Sequence, residues 1–171
     1  MDLSSLIRDV PDFPKKGIIF KDITPLLGDP AGLREACERL AEPFVGRGVE
    51  KVAGIESRGF IFGAPVAERL GAGFVPLRKP GKLPYSTIRQ TYELEYGTDA
   101  IEVHADAVAP GQKVLLVDDL LATGGTMAAA CRLVEKLGGQ VTGIAFVIEL
   151  CFLHGRDKLP GRDLHVLVAV P

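Results

Sequence analysis

Short apolar runs alternate with helical segments through most of this chain, and this alternation restricts its fold more than any other feature. The predicted strands are rich in branched apolar residues and occupy residues 52–55, 74–77, 114–117, 141–148 and 164–170. Helices are predicted over residues 30–44, 60–70 and 126–137. Apolar strands separated by helices are typical of a parallel sheet that is buried on both faces. We therefore predict an α/β fold in which helices flank a central, mostly parallel sheet.

Two segments depart from this alternation within what we expect to be a single domain of residues 1–171. The first is an N-terminal arm, residues 1–28. Helical spacing of Leu3, Leu6, Ile7 and Val10 predicts an opening helix that ends at Pro11, followed by an extended, proline-containing arm. We expect this arm to form a small hood over the rest of the domain.

The second departure is an insertion, residues 78–104. It begins with the basic loop RKPGKLP, Arg78 to Pro84, and continues with apolar residues that alternate on both sides of Gly97. The alternation predicts a β-hairpin. Long loops within compact domains are usually functional or disordered, and the glycine and cations of this one favour a flexible lid.

The overall charge and the cysteines limit the partners and the compartment. A formal net charge of -2 provides no global basic field, which argues against nucleic acid as the main partner. Cys37, Cys131 and Cys151 are widely spaced and form no CxxC pair, as expected of free thiols in a reducing cytosol. No apolar stretch approaches the ~18–20 residues of a membrane span. We expect a cytoplasmic protein without nucleic-acid or membrane partners.

The stretch VDDLLATGGT, Val117 to Thr126, carries the strongest chemical signal. In open parallel sheets, ligands bind outside the carboxyl ends of the strands, and this stretch joins a strand to a helix. Glycine amides, threonine hydroxyls and a helix N-terminus together favour a bound phosphate. The alternative is that Thr123 or Thr126 only caps the helix.

Asp118 and Asp119 lie beside this predicted phosphate loop and would repel a phosphate unless they face something else. Vicinal ribose hydroxyls or the hydration shell of Mg²⁺ are suitable partners. The pair therefore suggests a ligand with a sugar at one end and a phosphate at the other, although solvated turn acids remain an alternative. The sequence contains neither a GxxxxGK[ST] motif nor a GxGxxG motif after a strand.

A second group, Glu56-Ser-Arg-Gly59, also lies between a predicted strand and a helix. Arg58 is suited to a second anionic group, since arginine binds phosphate in a forked geometry. Ser57 as a simple helix cap is the alternative. Three further cations, Arg78, Lys79 and Lys82, lie within the basic loop, where they would suit a pyrophosphate.

These motifs resemble those of a known family. VDDLLATGGT is similar to the donor-binding signature of the type I phosphoribosyltransferases. The motifs Asp12–Ile23, Glu56–Phe60, Arg78–Pro84 and Leu94–Gly97 resemble those of its adenine-specific members, so the similarity spans nearly the whole chain. The resemblance implies the type I fold, with a hood and a flexible lid.

The resemblance also implies a reaction. Such enzymes transfer the 5-phosphoribosyl group from 5-phosphoribosyl 1-diphosphate to N9 of adenine, which gives AMP and pyrophosphate and salvages the purine. They use Mg²⁺, bound mainly through the substrate and water rather than through protein ligands, and are commonly homodimers. Two alternative functions are transfer to another purine base and regulation by a protein that only senses the donor.

Roles for individual residues follow from the resemblance alone. The implied ligands of the donor's 5'-phosphate are Ala122, Thr123, Gly124, Gly125 and Thr126. Asp118 and Asp119 would hold the ribose hydroxyls. The implied pyrophosphate ligands are Arg58, Arg78, Lys79 and Lys82.

At the base end, the resemblance implies that Phe20 and Leu120 sandwich the purine. Backbone groups of Ile19 and Lys21 would read its polar edge; many relatives have arginine in place of Lys21. Glu95 matches the acid/base residue of the family, with an exposed strand acid paired to a lysine as the alternative. The peptide bond before Ser57 is expected to be cis, as in relatives.

Overall fold

A computed structural model of the chain describes residues 1–94 and 96–171, so the predicted acid/base residue Glu95 lies outside the described residues. Within these ranges the strands are β1 (Arg8–Pro11), β2 (Ile19–Asp22), β3 (Lys51–Ile55), β4 (Gly73–Leu77), β5 (Thr87–Glu93), β6 (Thr98–His104), β7 (Lys113–Leu121), β8 (Gln140–Leu150) and β9 (Leu164–Val170). The α-helices described in the same ranges are α1 (Thr24–Gly28), α2 (Pro30–Ala41), α3 (Arg58–Leu70) and α4 (Gly125–Lys136).

The central sheet has the order β4-β3-β7-β8-β9, and every neighbouring pair in it is parallel. The predicted α/β class and the predicted parallel sheet are therefore confirmed. From β3 the chain proceeds outward to β4, and from β7 it proceeds in the opposite direction to β8 and β9. The strand order thus reverses between β3 and β7, which is where an open α/β sheet forms its ligand crevice.

Alternate residues of β7 divide the core into two layers. Val114 and Leu116 pack into a layer with α4 and the β5–β6 hairpin. Leu115 and Val117 pack into the opposite layer with α2 and α3. All four side chains are fully buried, which stabilises the fold by roughly 1.5–3 kcal/mol for each of them. Burial on both faces explains why this strand is a continuous apolar run.

The N-terminal arm differs from its prediction. Of the predicted opening helix, Leu3–Leu6 alone is helical, as a 3-10 turn capped by the Asp2 side chain. The predicted continuation of the opening helix to Val10 is wrong, since residues 8–11 form strand β1 and pair antiparallel with β2. Pro11 disfavours helical geometry at Val10, and pairing with a distant segment then satisfies the backbone. The two strands form a two-stranded antiparallel ribbon, the β1–β2 ribbon.

The insertion contains the predicted hairpin, as β5 and β6 pair antiparallel from Thr87↔His104 to Glu93↔Thr98. A backbone bridge between Arg78 and Glu102 joins this hairpin to the end of β4. Tyr92 and Ile101 are buried against α4, so the hairpin covers one face of the central sheet. None of the helices in residues 1–94 and 96–171 has the length and apolar character needed to span a membrane.

Candidate active site

The sequence motifs meet in one crevice at the carboxyl ends of β3 and β7. A cavity of about 320 Å³ lies there, lined by Ile55, Glu56, Ser57, Arg58, Lys79, Asp118, Asp119, Leu120 and Thr126. A smaller adjoining cavity of about 80 Å³ is lined mainly by the loop from Asp118 to Met127. The structure thus brings together segments that lie far apart in the sequence. The Glu56–Ser57 peptide is cis, as the resemblance implied.

The predicted phosphate loop, residues 122–126, leaves the first turn of α4 open. Gly124 occupies the N-cap position with φ +86°, a conformation that favours glycine. No side chain from the part of the chain that the structure describes caps this helix. The alternative that Thr123 or Thr126 only caps α4 is therefore wrong, and the amides of its first turn remain available to an anion.

Ser57 also fails to cap its helix. It occupies the N-cap position of α3, yet no side-chain cap hydrogen bond is present there among the described residues. The capping alternative for Ser57 is thus wrong as well. Two helix N-termini, of α3 and α4, open onto the same crevice, and their partial positive charges add at that point.

The two acids lie within β7, which continues to Leu121, rather than just after a strand ending at Val117 as the sequence suggested. Pairing of β3 with β7 ends at Val117, so the acids still lie beyond the shared edge of the two strands. Asp119 is buried, and its carboxylate accepts a hydrogen bond from Arg58 Nε. Solvated turn acids are therefore the wrong alternative for this pair.

The surroundings of Asp118 in the crevice strongly shift the pKa of its carboxyl group. Its Oδ1 accepts the Asp119 backbone N–H at 2.9 Å, and a Cβ placed on Gly59 would lie only 2.8 Å from the same oxygen. Burial, and secondly the charge of Asp119, raise the pKa of Asp118 well above its ordinary value, although the Asp119 amide and Arg58 oppose this. A donor whose hydroxyls hydrogen-bond to the pair would compensate for that lost solvation.

Each predicted pyrophosphate cation has a carboxylate partner. Arg78 Nε lies 3.3 Å from Glu56 Oε1, and Lys82 Nζ lies 3.3 Å from Glu56 Oε2. Lys79 forms an ion pair with Asp99 on the hairpin. Burial alone would raise the pKa of Glu56, but the Lys79 amide, Lys82 and Arg78 together lower it. Arg58 and Lys79 line the cavity of the crevice, whereas Arg78 and Lys82 adjoin it through their contacts with Glu56. An anionic ligand would have to replace these carboxylate partners.

The β1–β2 ribbon reaches the same crevice through Phe20. The Phe20 ring lies 5.6 Å from the Arg58 guanidinium and 5.2 Å from the ring of Phe13, in an edge-to-face arrangement. Lys21 Nζ is bound to Asp9 at 2.6 Å, so its side chain is already occupied. Ile19 is exposed, and Leu120 lines the cavity.

Sequence reasoning missed the segment behind the phosphate loop. Gly155 packs so closely that an added Cβ would lie 2.5 Å from the carbonyl oxygen of Ala122. Next to it, Arg156 donates two hydrogen bonds of 2.7 Å to Glu149, which is buried at the end of β8. The signal was available, because Glu149 is a lone acid in the apolar strand sequence FVIEL.

No group of three or more His, Cys, Asp or Glu side chains among the described residues is arranged to hold a metal ion. Asp118 and Asp119 provide two carboxylates, and one of them is already paired with Arg58. This donor set fits an ion that is coordinated largely by ligand oxygens and water.

The fold and the crevice define a class of sugar-phosphate-binding transferases, and residues 31–165 match the family described as the phosphoribosyl transferase domain. The chain is 60% identical over 166 residues to the adenine phosphoribosyltransferase of Nitrosococcus oceani, covering 97% of each protein. The crystal structure of the Thermoanaerobacter pseudethanolicus adenine phosphoribosyltransferase superposes with a TM-score of 0.95 at 56% identity, covering 98% of each chain.

A more distant solved relative is the Saccharomyces cerevisiae adenine phosphoribosyltransferase, crystallised with adenine and an imino-altritol bisphosphate. It has a TM-score of 0.91 and 41% identity, with 96% of each chain covered. This chain belongs to the adenine phosphoribosyltransferase family.

Proposed function

We propose that this protein transfers the 5-phosphoribosyl group of 5-phosphoribosyl 1-diphosphate to N9 of adenine, releasing AMP and pyrophosphate. The observation that carries the proposal is the crevice itself, in which an uncapped phosphate loop lies beside paired acids and beside cations suited to a diphosphate. The binding of adenine together with a bisphosphate by the yeast relative further supports it.

The donor end of the proposal assigns one task to each group. The amides and hydroxyls of Ala122–Thr126 bind the 5'-phosphate, and Asp118 and Asp119 bind the ribose hydroxyls. Arg58 and the lid cations, Arg78, Lys79 and Lys82, bind the pyrophosphate. Support comes from the common cavity, which Arg58, Lys79, both acids and Thr126 all line.

In the reaction, N9 of the base attacks C1' of the ribose while the bond from C1' to the pyrophosphate oxygen breaks, and the imidazole N–H proton of the base passes to Glu95. The departing electron pair goes to pyrophosphate, and the sugar passes through an oxocarbenium-like state. Cations at the crevice stabilise the negative charge that develops on the leaving group. A closed lid would exclude the water that otherwise hydrolyses the reactive sugar.

Mg²⁺ is the proposed cofactor, and when bound it would neutralise charge on the diphosphate. Asp118 and Asp119 would contact the hydration shell of the ion. At the base end, Phe20 and Leu120 enclose the purine, and backbone groups of Ile19 and Lys21 read its edge. The occupied side chain of Lys21 supports recognition through its backbone.

Glu95 is the proposed acid/base residue at the purine. Replacing it with glutamine should lower kcat by ~10²–10⁴-fold, because a positioned proton carrier is lost. Glu93→Gln is the matched control, since Glu93 is an exposed acid two residues away on β5 and is expected to retain activity. Equal effects of the two changes would remove Glu95 from this role.

The decisive experiment is a base panel. The enzyme is incubated with Mg²⁺ and donor together with adenine, hypoxanthine, guanine or xanthine, and the nucleotide products are separated and quantified. We expect AMP from adenine and little product from the other bases. Turnover of a 6-oxopurine but not adenine would assign another purine, and donor binding with no product would point to a regulator.

The remaining proposals concern assembly and compartment. A homodimer rests on the family resemblance and predicts twice the mass of the chain in sedimentation experiments; a monomer under assay conditions would contradict it. A cytoplasmic location is supported by Cys37, Cys131 and Cys151, which are all free, the first two of them buried. Free thiols of this kind are typical of reducing compartments.

A further inference from the structure

Glu56 stands at the centre of the contacts that hold the cationic lid. Its side chain is only 10% exposed, and both of its carboxylate oxygens contact the lid. Oε1 accepts the backbone N–H of Lys79 at 2.7 Å and also faces Arg78, while Oε2 faces Lys82. Its own backbone N–H donates to Leu77. One residue at the end of β3 therefore contacts the lid and the strand leading into it at four positions.

These contacts fall into two groups of different strength. The bond to the Lys79 amide has the length of a good charge-assisted hydrogen bond. The contacts to Arg78 and Lys82 are each 3.3 Å, longer than the usual ~2.7–2.9 Å of such pairs. The Lys82 side chain is also 50% exposed, so water screens its pair. The hydrogen bond from the Lys79 backbone N–H fixes the start of the lid. The weaker contacts to Arg78 and Lys82 can be replaced by contacts to another anion.

We propose that Glu56 is a positioning residue that occupies Arg78 and Lys82 in place of the donor's diphosphate and thereby limits the affinity for that group. The inference rests on the proposed function. Glu56 lines the cavity with Arg58 and Lys79, and its carboxylate holds Arg78 and Lys82 beside that cavity, so an entering diphosphate competes with Glu56 for those two cations. A diphosphate bound in this cavity and the Glu56 carboxylate would also repel each other. Release of pyrophosphate is favoured by the same competition.

The test is Glu56→Gln, because glutamine keeps an oxygen for the Lys79 amide but has no charge. Binding of magnesium pyrophosphate is measured by isothermal titration calorimetry, and donor KM and kcat by steady-state assay. We expect the pyrophosphate Kd to fall about three- to tenfold, as two screened ion pairs are lost from the free state. Donor KM falls in parallel, and kcat does not rise. An unchanged or higher Kd overturns the proposal.

Two controls separate this role from a structural one. In a Lys82→Ala background, Glu56→Gln should gain less pyrophosphate affinity than in the wild type, since one freed cation is missing; an equal gain contradicts the proposal. Glu102→Gln is the matched variant, because Glu102 is a buried carboxylate that accepts the Gly81 N–H at 2.9 Å but pairs with Arg89. It should not tighten pyrophosphate binding, and equal tightening would refute the specific role of Glu56.

Should Glu56→Gln not fold, Glu56→Asp serves in its place. The shorter carboxylate retracts from Arg78 and Lys82, so pyrophosphate binding should again tighten, by less than about tenfold; weaker binding refutes the inference. Failure of this inference is distinct from failure of the proposed function. If the wild-type enzyme makes AMP but the variants bind pyrophosphate no more tightly, only the inference about Glu56 is wrong. If the wild type shows no turnover, the proposed function is wrong.

Discussion

Replacing Asp118 and Asp119 by asparagine, one at a time, should weaken donor handling in both cases but change stability in opposite directions. Asp119 is buried and bound to Arg58, so Asp119→Asn loses a charged hydrogen bond. The Arg58 side chain is 45% exposed, which reduces the cost to ~1–2 kcal/mol. For a chain of this length, that corresponds to a melting temperature lower by roughly 2–8 °C.

Asp118→Asn should instead stabilise the fold at neutral pH. Burial and the neighbouring charge of Asp119 raise the pKa of Asp118, so its ionised form is disfavoured in the native state. A raised acid pKa makes the native state lose stability as the pH rises above the ordinary aspartate value of 3.8 towards the native one. The gain from asparagine is therefore small in acid and grows with pH. Asparagine keeps the oxygen that accepts the Asp119 amide.

The assay combines melting curves over a pH series with donor KM and kcat for both variants. Each variant should lose about ten- to a hundredfold in kcat/KM for the donor, as expected for a lost charged hydrogen bond of ~1.5–3 kcal/mol. Two results would refute the reasoning. One is Asp118→Asn lowering the melting temperature as much as Asp119→Asn does at neutral pH, and the other is unchanged donor kinetics in both.

Three further changes test the lid and the support of the phosphate loop. Lys82→Ala should lower kcat/KM for the donor with a change in melting temperature of less than about 2 °C, because its ion pair is half exposed; a large fall in melting temperature would contradict its place on the lid. Gly155→Ala should destabilise the fold by ~1–3 kcal/mol in denaturant unfolding, since its Cβ meets the Ala122 carbonyl oxygen at 2.5 Å. The donor KM should rise together with this loss of stability. A Gly155→Ala variant as stable as the wild type would show that the loop moves to accommodate the added methyl group. Glu149→Gln should lower the free energy of unfolding by ~1–2 kcal/mol, because it leaves the half-exposed Arg156 without its charged partner; an unfolding curve identical to that of the wild type would show that the pair is unimportant.

Much of the candidate site was predictable because its signals are local. Asp118 and Asp119 are adjacent, and the glycines and threonines of the following loop are consecutive residues, 123–126. Backbone requirements of this kind act over a few residues, so a short stretch reveals them. The extended conformation of residues 8–10 was not predictable in the same way, because strand β1 exists only through its pairing with β2.

The sequence by itself determined the parallel sheet, since buried strands and covering helices each impose their own period on the apolar residues. It also indicated the glycine-rich turn of residues 122–126, whose geometry depends on glycine and on the start of a helix. Only the tertiary structure decided which charges meet: Arg58 with Asp119, Lys79 with Asp99, and Glu56 with the lid. Such pairs have no period and no fixed spacing, because the sheet order, rather than distance along the chain, brings their partners together.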